Sequence, residues 1–140
     1  MPTRPPGTPD LDLTYDGASG TLSRLGSMPS LPAGVDRSGN TGSDVRISPS
    51  GRFLYGSNRG HDSIVIYAIA PDGTLTLQGH ESTRGRIPRN FEVSPDGAFL
   101  AAANQDTSDI FTFRIDQATG LLSWTGQKAV AGTPICVRFL

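Results

Sequence analysis

The sequence predicts an all-β protein that forms part of a β-propeller, a β-propeller fragment with blades of four antiparallel strands. Three observations support this fold class. The 17 glycines and 11 prolines among 140 residues fall between short runs rich in β-branched and aromatic residues. No segment carries apolar residues at helical spacing over three turns. A sequence pattern also recurs after 46 residues (94 − 48), a period typical of propellers and solenoids.

The repeat fixes the position of each expected strand. Stretches 48–64 and 94–110 share a serine–proline pair, a glycine, a phenylalanine–leucine pair, an asparagine and an isoleucine at equal spacing. Runs such as "SIVIYAI" and "DIFTFRI" are apolar on both faces, which indicates that units 44–90 and 90–136 stack face to face. The strands expected in the second unit are about Asn90 to Ser94, Ala98 to Asn104, Asp109 to Ile115 and Leu121 to Val130.

Both ends of the chain match pieces of further blades. Stretch 13–27 matches 113–127 at an offset of 100 (113 − 13), which predicts the outer half of a preceding blade. The closing "PICVRFL" matches "PRNFEVS", a first strand. We therefore expect two full blades, one partial blade and one closing strand in a partial propeller domain at 11–140, with residues 1–10 disordered.

Charge and hydropathy exclude several classes of partner. The 12 basic and 13 acidic residues nearly balance, which leaves no footprint for nucleic acid. The longest apolar run, "IVIYAIA", is far shorter than the roughly 20 residues needed to cross a membrane, and the N-terminus lacks the apolar core of a secretion signal. We therefore expect a cytoplasmic protein that binds neither nucleic acid nor membrane. The lone Cys136 excludes an internal disulfide, gives no metal-ligand spacing and sits in an apolar context that predicts a buried structural residue.

The motifs "SNRG", "PRNFEVSPDG" and "ANQ" resemble the C-terminal part of the seven-bladed propeller lactonase family. That family includes propeller-type 6-phosphogluconolactonases and fungal 3-carboxy-cis,cis-muconate lactonizing enzymes. The resemblance covers roughly residues 11–140 and implies a ring whose final strand completes the first blade. It also implies that roughly the first four blades of such a ring are absent from this chain, and it implies no metal and no organic cofactor.

Two loops are expected to open on one face of the disc. "NRGHDS" at 58–63 joins the second and third strands of a blade, and "RGRIPRN" at 84–90 joins one blade to the next. Both loops carry cations, and a guanidinium can form bidentate hydrogen bonds with phosphate or carboxylate. The residues expected on this face are Arg59, His61, Arg84, Arg86 and Arg89.

Arg59 and Arg89 are the candidate catalytic residues, because each lies next to a strand that runs towards the central axis. His61, Arg86 and Gln105 are the candidate substrate-binding residues. Structural alternatives stay open: a salt bridge from Arg59 to Asp62 or Asp106, and a solvated loop position for His61. The repeated asparagines Asn58 and Asn104 are interpreted as turn formers that bond their own backbone.

The resemblance implies a lactonase that hydrolyses 6-phosphogluconolactone, with a small anionic lactone as its partner. In the family, the functional histidine, a further arginine and a glutamate are associated with earlier blades, and no motif here matches theirs. The catalytic base is therefore expected in the missing blades. The alternatives are a carboxy-muconate lactonizing cycloisomerase on the same fold and a non-catalytic propeller used as a binding module. Uncovered blade faces further predict self-association.

Overall fold

The computed structural model describes the backbone of residues 10–140 and the side chains from residue 14 onward, apart from Leu25. Of the segment 1–10, which was expected to be disordered, residues 1–9 lie outside the described part of the chain and Asp10 begins the first strand. No helix among the described residues has the length and apolar character required to span a bilayer. The ten strands are β1 (Asp10–Asp16), β2 (Thr21–Met28), β3 (Thr41–Ile47), β4 (Phe53–Arg59), β5 (Ser63–Ile69), β6 (Leu75–Ser82), β7 (Pro88–Val93), β8 (Phe99–Asn104), β9 (Asp109–Ile115) and β10 (Leu122–Val130).

The strands form two four-stranded blades and one two-stranded sheet. The first blade has the order β3-β4-β5-β6 and the second β7-β8-β9-β10, with every neighbouring pair antiparallel. β1 and β2 form a separate antiparallel pair. The predicted blade architecture is confirmed, and the strand ends of the second blade lie within two residues of those expected (Asn90 against Pro88 at the start).

The serine–proline turns explain why the two blades start in the same way. In the first, the amide of Gly51 donates to the carbonyl of Ser48 over 2.8 Å; in the second, Gly97 donates to Ser94 over 2.8 Å. Each serine hydroxyl also accepts the amide of the phenylalanine that begins the second strand, Phe53 at 3.2 Å and Phe99 at 3.0 Å. The short side-chain acceptor closes the turn, so the sequence sets the strand start locally.

The main core lies between the two blades. Phe91 of β7 is fully buried in one cluster with Tyr55 of β4 and Ile66 of β5. The Tyr55 hydroxyl donates to the carbonyl of Gly120 over 2.7 Å, and burial raises the pKa of this phenol. Gly120 has a φ of +76°, and a Cβ there would lie 2.5 Å from the Phe53 ring, so only glycine fits. Face-to-face stacking of apolar strands thus explains their two-sided burial.

Polar contacts join the first strands of the two blades, β3 and β7, to each other and to the C-terminal segment. Asn90 of β7 donates to the Asp44 carboxylate over 2.6 Å, and Arg46 of β3 pairs with Glu92 at 3.4 Å. Glu92 also pairs with Arg138 at 3.0 Å. Because these partners are 46 residues apart (92 − 46 and 138 − 92), the sequence repeat produces a ladder of like contacts.

Residues 134–140, which were predicted to form a closing strand, follow this ladder without forming one. The amide of Val137 donates to the Asn90 side chain over 2.7 Å, which places the segment beside β7 where a third inner strand would lie. The secondary structure of 134–140 is irregular, since no strand in the described chain pairs with it. For the same reason the prediction that Cys136 is buried was wrong, and its side chain is exposed.

Two buried asparagines connect each blade to the loop that precedes it. The Asn58 amide nitrogen donates to the Ser30 carbonyl over 2.7 Å, and that of Asn104 donates to the Thr83 carbonyl over 3.0 Å. Both asparagines are fully buried. The interpretation of these residues as turn formers that bond their own backbone was therefore wrong. They hold the inter-blade connections on the face where the candidate site lies.

We expect Asn104→Ala to lower the free energy of unfolding by about 1–3 kcal/mol, because it leaves the Thr83 carbonyl buried without this donor. Chemical denaturation followed by tryptophan fluorescence measures the change. Asp106→Ala, an exposed side chain in the adjoining loop, is the matched control and should change stability by less than about 0.5 kcal/mol. Equal stability of Asn104→Ala and the unmodified chain would contradict this role.

Candidate anion-binding site

The candidate site lies at the edge where inner strands begin and second strands end. Arg59 is the last residue of β4, and its Cα is paired with that of Thr41 at the start of β3. Gly60, directly after it, has a φ of +114°, and a Cβ there would lie 2.6 Å from the carbonyl oxygen of Gly39. Glycine is therefore required in the "SNRG" motif, because the turn passes close to the preceding loop.

The guanidinium of Arg59 lies over the start of β3. Its Nη2 donates to the Gly42 carbonyl at 3.4 Å, and its buried Nε has no hydrogen-bond partner among the described residues. The alternative salt bridges to Asp62 or Asp106 are not formed within residues 10–140. Arg59 therefore keeps hydrogen-bonding capacity for an anion.

The backbone of Arg89 is bonded to Ser43, the residue of β3 that follows the one contacted by Arg59. The Ser43 hydroxyl, adjacent to Gly42, donates to the Arg89 carbonyl. The exposed Arg89 guanidinium reaches the Gln105 side-chain oxygen over 3.5 Å from Nη1, a long contact that occupies little of its capacity. We call Ser43, Arg59, Arg89 and Gln105 the arginine cluster. Of the five candidate site residues, Arg89 and Gln105 are thus in direct contact, and Arg59 is linked to Arg89 through Gly42 and Ser43 of β3.

Ser43 was missed by sequence reasoning, although the repeat carried a signal for it. Ser43 and Arg89 are 46 residues apart (89 − 43), so they occupy equivalent positions on neighbouring inner strands. Arg59 and Gln105 are related by the same interval (105 − 59), at the ends of equivalent second strands. Aligning the two units position by position therefore selects all four members of the arginine cluster as two equivalent pairs.

The other two arginines of this face do not join the arginine cluster. The Arg84 guanidinium lies 4.7 Å from the ring centre of Trp124 and 3.8 Å from Glu81, so it serves packing between the connection and β10. Arg86 is exposed, and its backbone amide donates to the Thr107 hydroxyl over 3.0 Å. This contact holds the Arg86 backbone in the connection, and the Arg86 side chain is exposed to solvent.

His61 faces the outer strands rather than the arginine cluster. Its Nδ1 lies 2.7 Å from the Ser63 hydroxyl, and its ring centre is 6.4 Å from that of His80 on β6. His80 in turn contacts the Ser30 carbonyl over 3.0 Å, and burial lowers the pKa of its imidazole. The predicted substrate contact of His61 therefore has no support from the position of its ring.

The side chains of the arginine cluster are hydrogen-bond donors, and none of them is suited to act as a base. The arginine cluster contains two guanidinium groups, a hydroxyl and an amide, all of which can donate hydrogen bonds to phosphate or carboxylate oxygens. Across residues 10–140 no set of three His, Cys, Asp or Glu side chains is placed to hold a metal ion.

Comparison with known proteins places this geometry in context. A family model described as lactonase, seven-bladed β-propeller, matches residues 11–139. A protein of Formosa agariphila named 6-phosphogluconolactonase is 51% identical over 90 residues, which cover 62% of this chain and 26% of that protein. One of the same name from Pectobacterium carotovorum is 37% identical over 126 residues, covering 89% of this chain and 37% of that one.

Solved structures show the same likeness. The structure titled Pseudomonas aeruginosa periplasmic gluconolactonase superposes with a TM-score of 0.83 at 31% identity. The superposition covers 93% of this chain and 36% of that one. The matches to this chain therefore span between about a quarter and little more than a third of the length of these relatives.

Proposed function

The chain belongs to the seven-bladed β-propeller lactonase family, and on that premise we propose that it serves hydrolysis of 6-phosphogluconolactone to 6-phosphogluconate. The observation that carries the proposal is the arginine cluster: the Arg59 guanidinium contacts the Gly42 carbonyl, the adjacent Ser43 bonds to the Arg89 backbone, and neither arginine has a carboxylate partner among the described residues. Related proteins named 6-phosphogluconolactonase supply the substrate class. A small anionic lactone is the expected partner.

In this proposal, Arg59 and Arg89 bind the phosphate and thereby fix the lactone relative to the attacking water. Planar guanidinium groups suit this task because each can donate two parallel hydrogen bonds to one phosphate. During hydrolysis, the water oxygen bonds to the carbonyl carbon, the ring C–O bond breaks, and a proton passes to the departing alkoxide. These proton transfers need a base and an acid from outside the arginine cluster.

The same cations would also suit the carboxylates of a muconate, so cycloisomerisation is the second candidate. The arginine cluster alone does not favour one anion over the other, since guanidinium binds both. A non-catalytic binding module is the third. Substrate panels separate these three functions, because only a lactonase releases acid from 6-phosphogluconolactone and only a cycloisomerase closes a carboxy-muconate.

The proposed substrate also bears on location. A sugar phosphate is charged and stays in the compartment where it is made, so we propose a cytoplasmic role. The relative whose title names it periplasmic is titled a gluconolactonase, without the phosphate. Preference for the phosphorylated over the plain lactone would support the cytoplasmic assignment.

The test compares two proteins. The first is the 140-residue chain. The second is a chimaera in which this chain replaces the matching 126-residue region of the Pectobacterium protein, so that the rest of the ring comes from that relative. We expect hydrolysis of 6-phosphogluconolactone above the spontaneous rate by the chimaera and none by the chain. Acid release at constant pH is the measurement. Robust turnover by the chain would refute the proposal that the base and the acid come from the rest of the ring. Carboxy-muconate turnover by the chimaera would favour the cycloisomerase.

A further inference from the structure

Asp62 lies next to the arginine cluster and is not used by the proposed chemistry. Its carboxylate oxygen Oδ1 accepts the amide of Gly60 over 3.1 Å and that of Ile87 over 2.9 Å. Its carbonyl accepts the amide and hydroxyl of Thr83 over 3.0 Å and 3.1 Å. A single residue therefore ties the loop that follows Arg59 to the connection that leads into β7.

The Ile87 peptide carries this connection to the rest of the arginine cluster. The Ile87 carbonyl accepts the amide of Arg89 over 2.8 Å and that of Gln105 over 2.9 Å. Ile87 has a φ of +61°, a conformation that a β-branched residue adopts only when its surroundings impose it. The hydrogen bond from Ile87 to Asp62 is one of those constraints.

The second blade offers an internal comparison. Ser108 occupies the position equivalent to Asp62 (108 − 62 = 46), with a φ of +55° against +57°. Its carbonyl accepts the Ala131 amide over 3.0 Å, and its hydroxyl accepts that of Thr133 over 3.2 Å. Both residues hold the connection that leaves their blade, but only Asp62 acts on a connection that leads to the arginine cluster.

We propose that Asp62 is the positioning residue of the arginine cluster: through Oδ1 it fixes the distance between Arg59 and the Ile87 peptide that aligns Arg89 and Gln105. The inference rests on the proposed function for the identity of the ligand, but its geometric part does not. Losing the Oδ1 acceptor should free the Ile87 peptide to move relative to the backbone at Arg59 and Gly60, which weakens binding of an anion that contacts both Arg59 and Arg89.

The experiment uses the 140-residue chain and three variants. Asp62→Ala removes the acceptor, and Asp62→Asn keeps an oxygen there and tolerates positive φ. Ser108→Ala is the matched control, because it places alanine at the same φ and removes the equivalent contact in the other blade. The readouts are hydrogen–deuterium exchange at the amides of Ile87, Arg89 and Gln105, and the Kd of 6-phosphogluconate by titration calorimetry.

We expect Asp62→Ala to speed exchange at the three amides and to raise Kd roughly ten- to a hundredfold. Asp62→Asn should restore both within about threefold, and Ser108→Ala should change neither. Equal effects of Asp62→Ala and Ser108→Ala on Kd would overturn the proposal, as would unchanged exchange in Asp62→Ala. Faster exchange in Asp62→Ala, with no binding by the unmodified chain, would support the positioning role and count against the proposed function.

Discussion

In the chimaera with the Pectobacterium protein, Arg59→Ala and Arg89→Ala should each lower kcat/KM for 6-phosphogluconolactone by roughly ten- to a thousandfold. Each substitution removes one or two hydrogen bonds from a cation to the bound phosphate, and such a bond contributes about 1.5–3 kcal/mol. Initial rates of acid release, corrected for spontaneous hydrolysis, give the values. If the phosphate is bound equally tightly in the ground state and the transition state, each substitution should raise KM and leave kcat nearly unchanged.

The matched control for both substitutions is Arg52→Ala. Arg52 precedes β4, at the opposite end of that strand from Arg59, and its guanidinium contacts the Gln117 carbonyl over 3.0 Å. It therefore tests whether removing any arginine lowers the rate. We expect kcat/KM of Arg52→Ala to stay within about threefold of the unmodified chimaera. If Arg59→Ala and Arg89→Ala leave kcat/KM unchanged, the two residues do not bind substrate and have a structural role only.

The 140-residue chain should self-associate, because apolar residues that are exposed on the first blade are buried at the equivalent positions of the second blade. Val45 and Ile47 of β3 are 49% and 58% exposed, whereas the equivalent Phe91 and Val93 of β7 (91 − 45 and 93 − 47, each 46) are 0% and 7% exposed. Contiguous apolar patches beyond roughly 300–600 Å² are uncommon on monomers. Light scattering as a function of concentration should show species larger than a monomer.

Replacing both β3 residues by threonine should shift the chain towards monomer, since threonine keeps the strand preference and adds a hydroxyl. Leu22→Thr, which removes an exposed apolar side chain from the separate β1–β2 pair, is the control and should have a smaller effect. A monodisperse, cooperatively unfolding monomer of the unmodified chain at high concentration would contradict this prediction.

The fold was predictable because its signals are local and repeated. A turn such as "SPDG" is closed by its own serine, and a run that is apolar on both faces follows it, so nearby residues determine where the strand begins. Cys136 illustrates the limit of that reasoning. Its sequence context is that of a buried inner strand, but burial depends on a neighbouring sheet that the described chain does not supply.

The candidate site was only partly predictable, because side-chain direction at a loop is set by distant partners. Arg59 and Gln105 occupy equivalent positions on adjacent blades, as do Ser43 and Arg89, and this repeat is visible in the sequence. Arg84 turns to Trp124 and His61 turns to His80, and both partners lie on outer strands that loop sequence alone does not identify.

The central claim is that the arginine cluster holds the charged group of the lactone. The most direct test is the ratio of kcat/KM for 6-phosphogluconolactone to that for unphosphorylated gluconolactone, measured for the chimaera with and without Arg59→Ala. If Arg59 binds phosphate, the substitution should lower this ratio about tenfold or more, because only the phosphorylated substrate loses a contact. An unchanged ratio, with both rates reduced alike, would contradict the account.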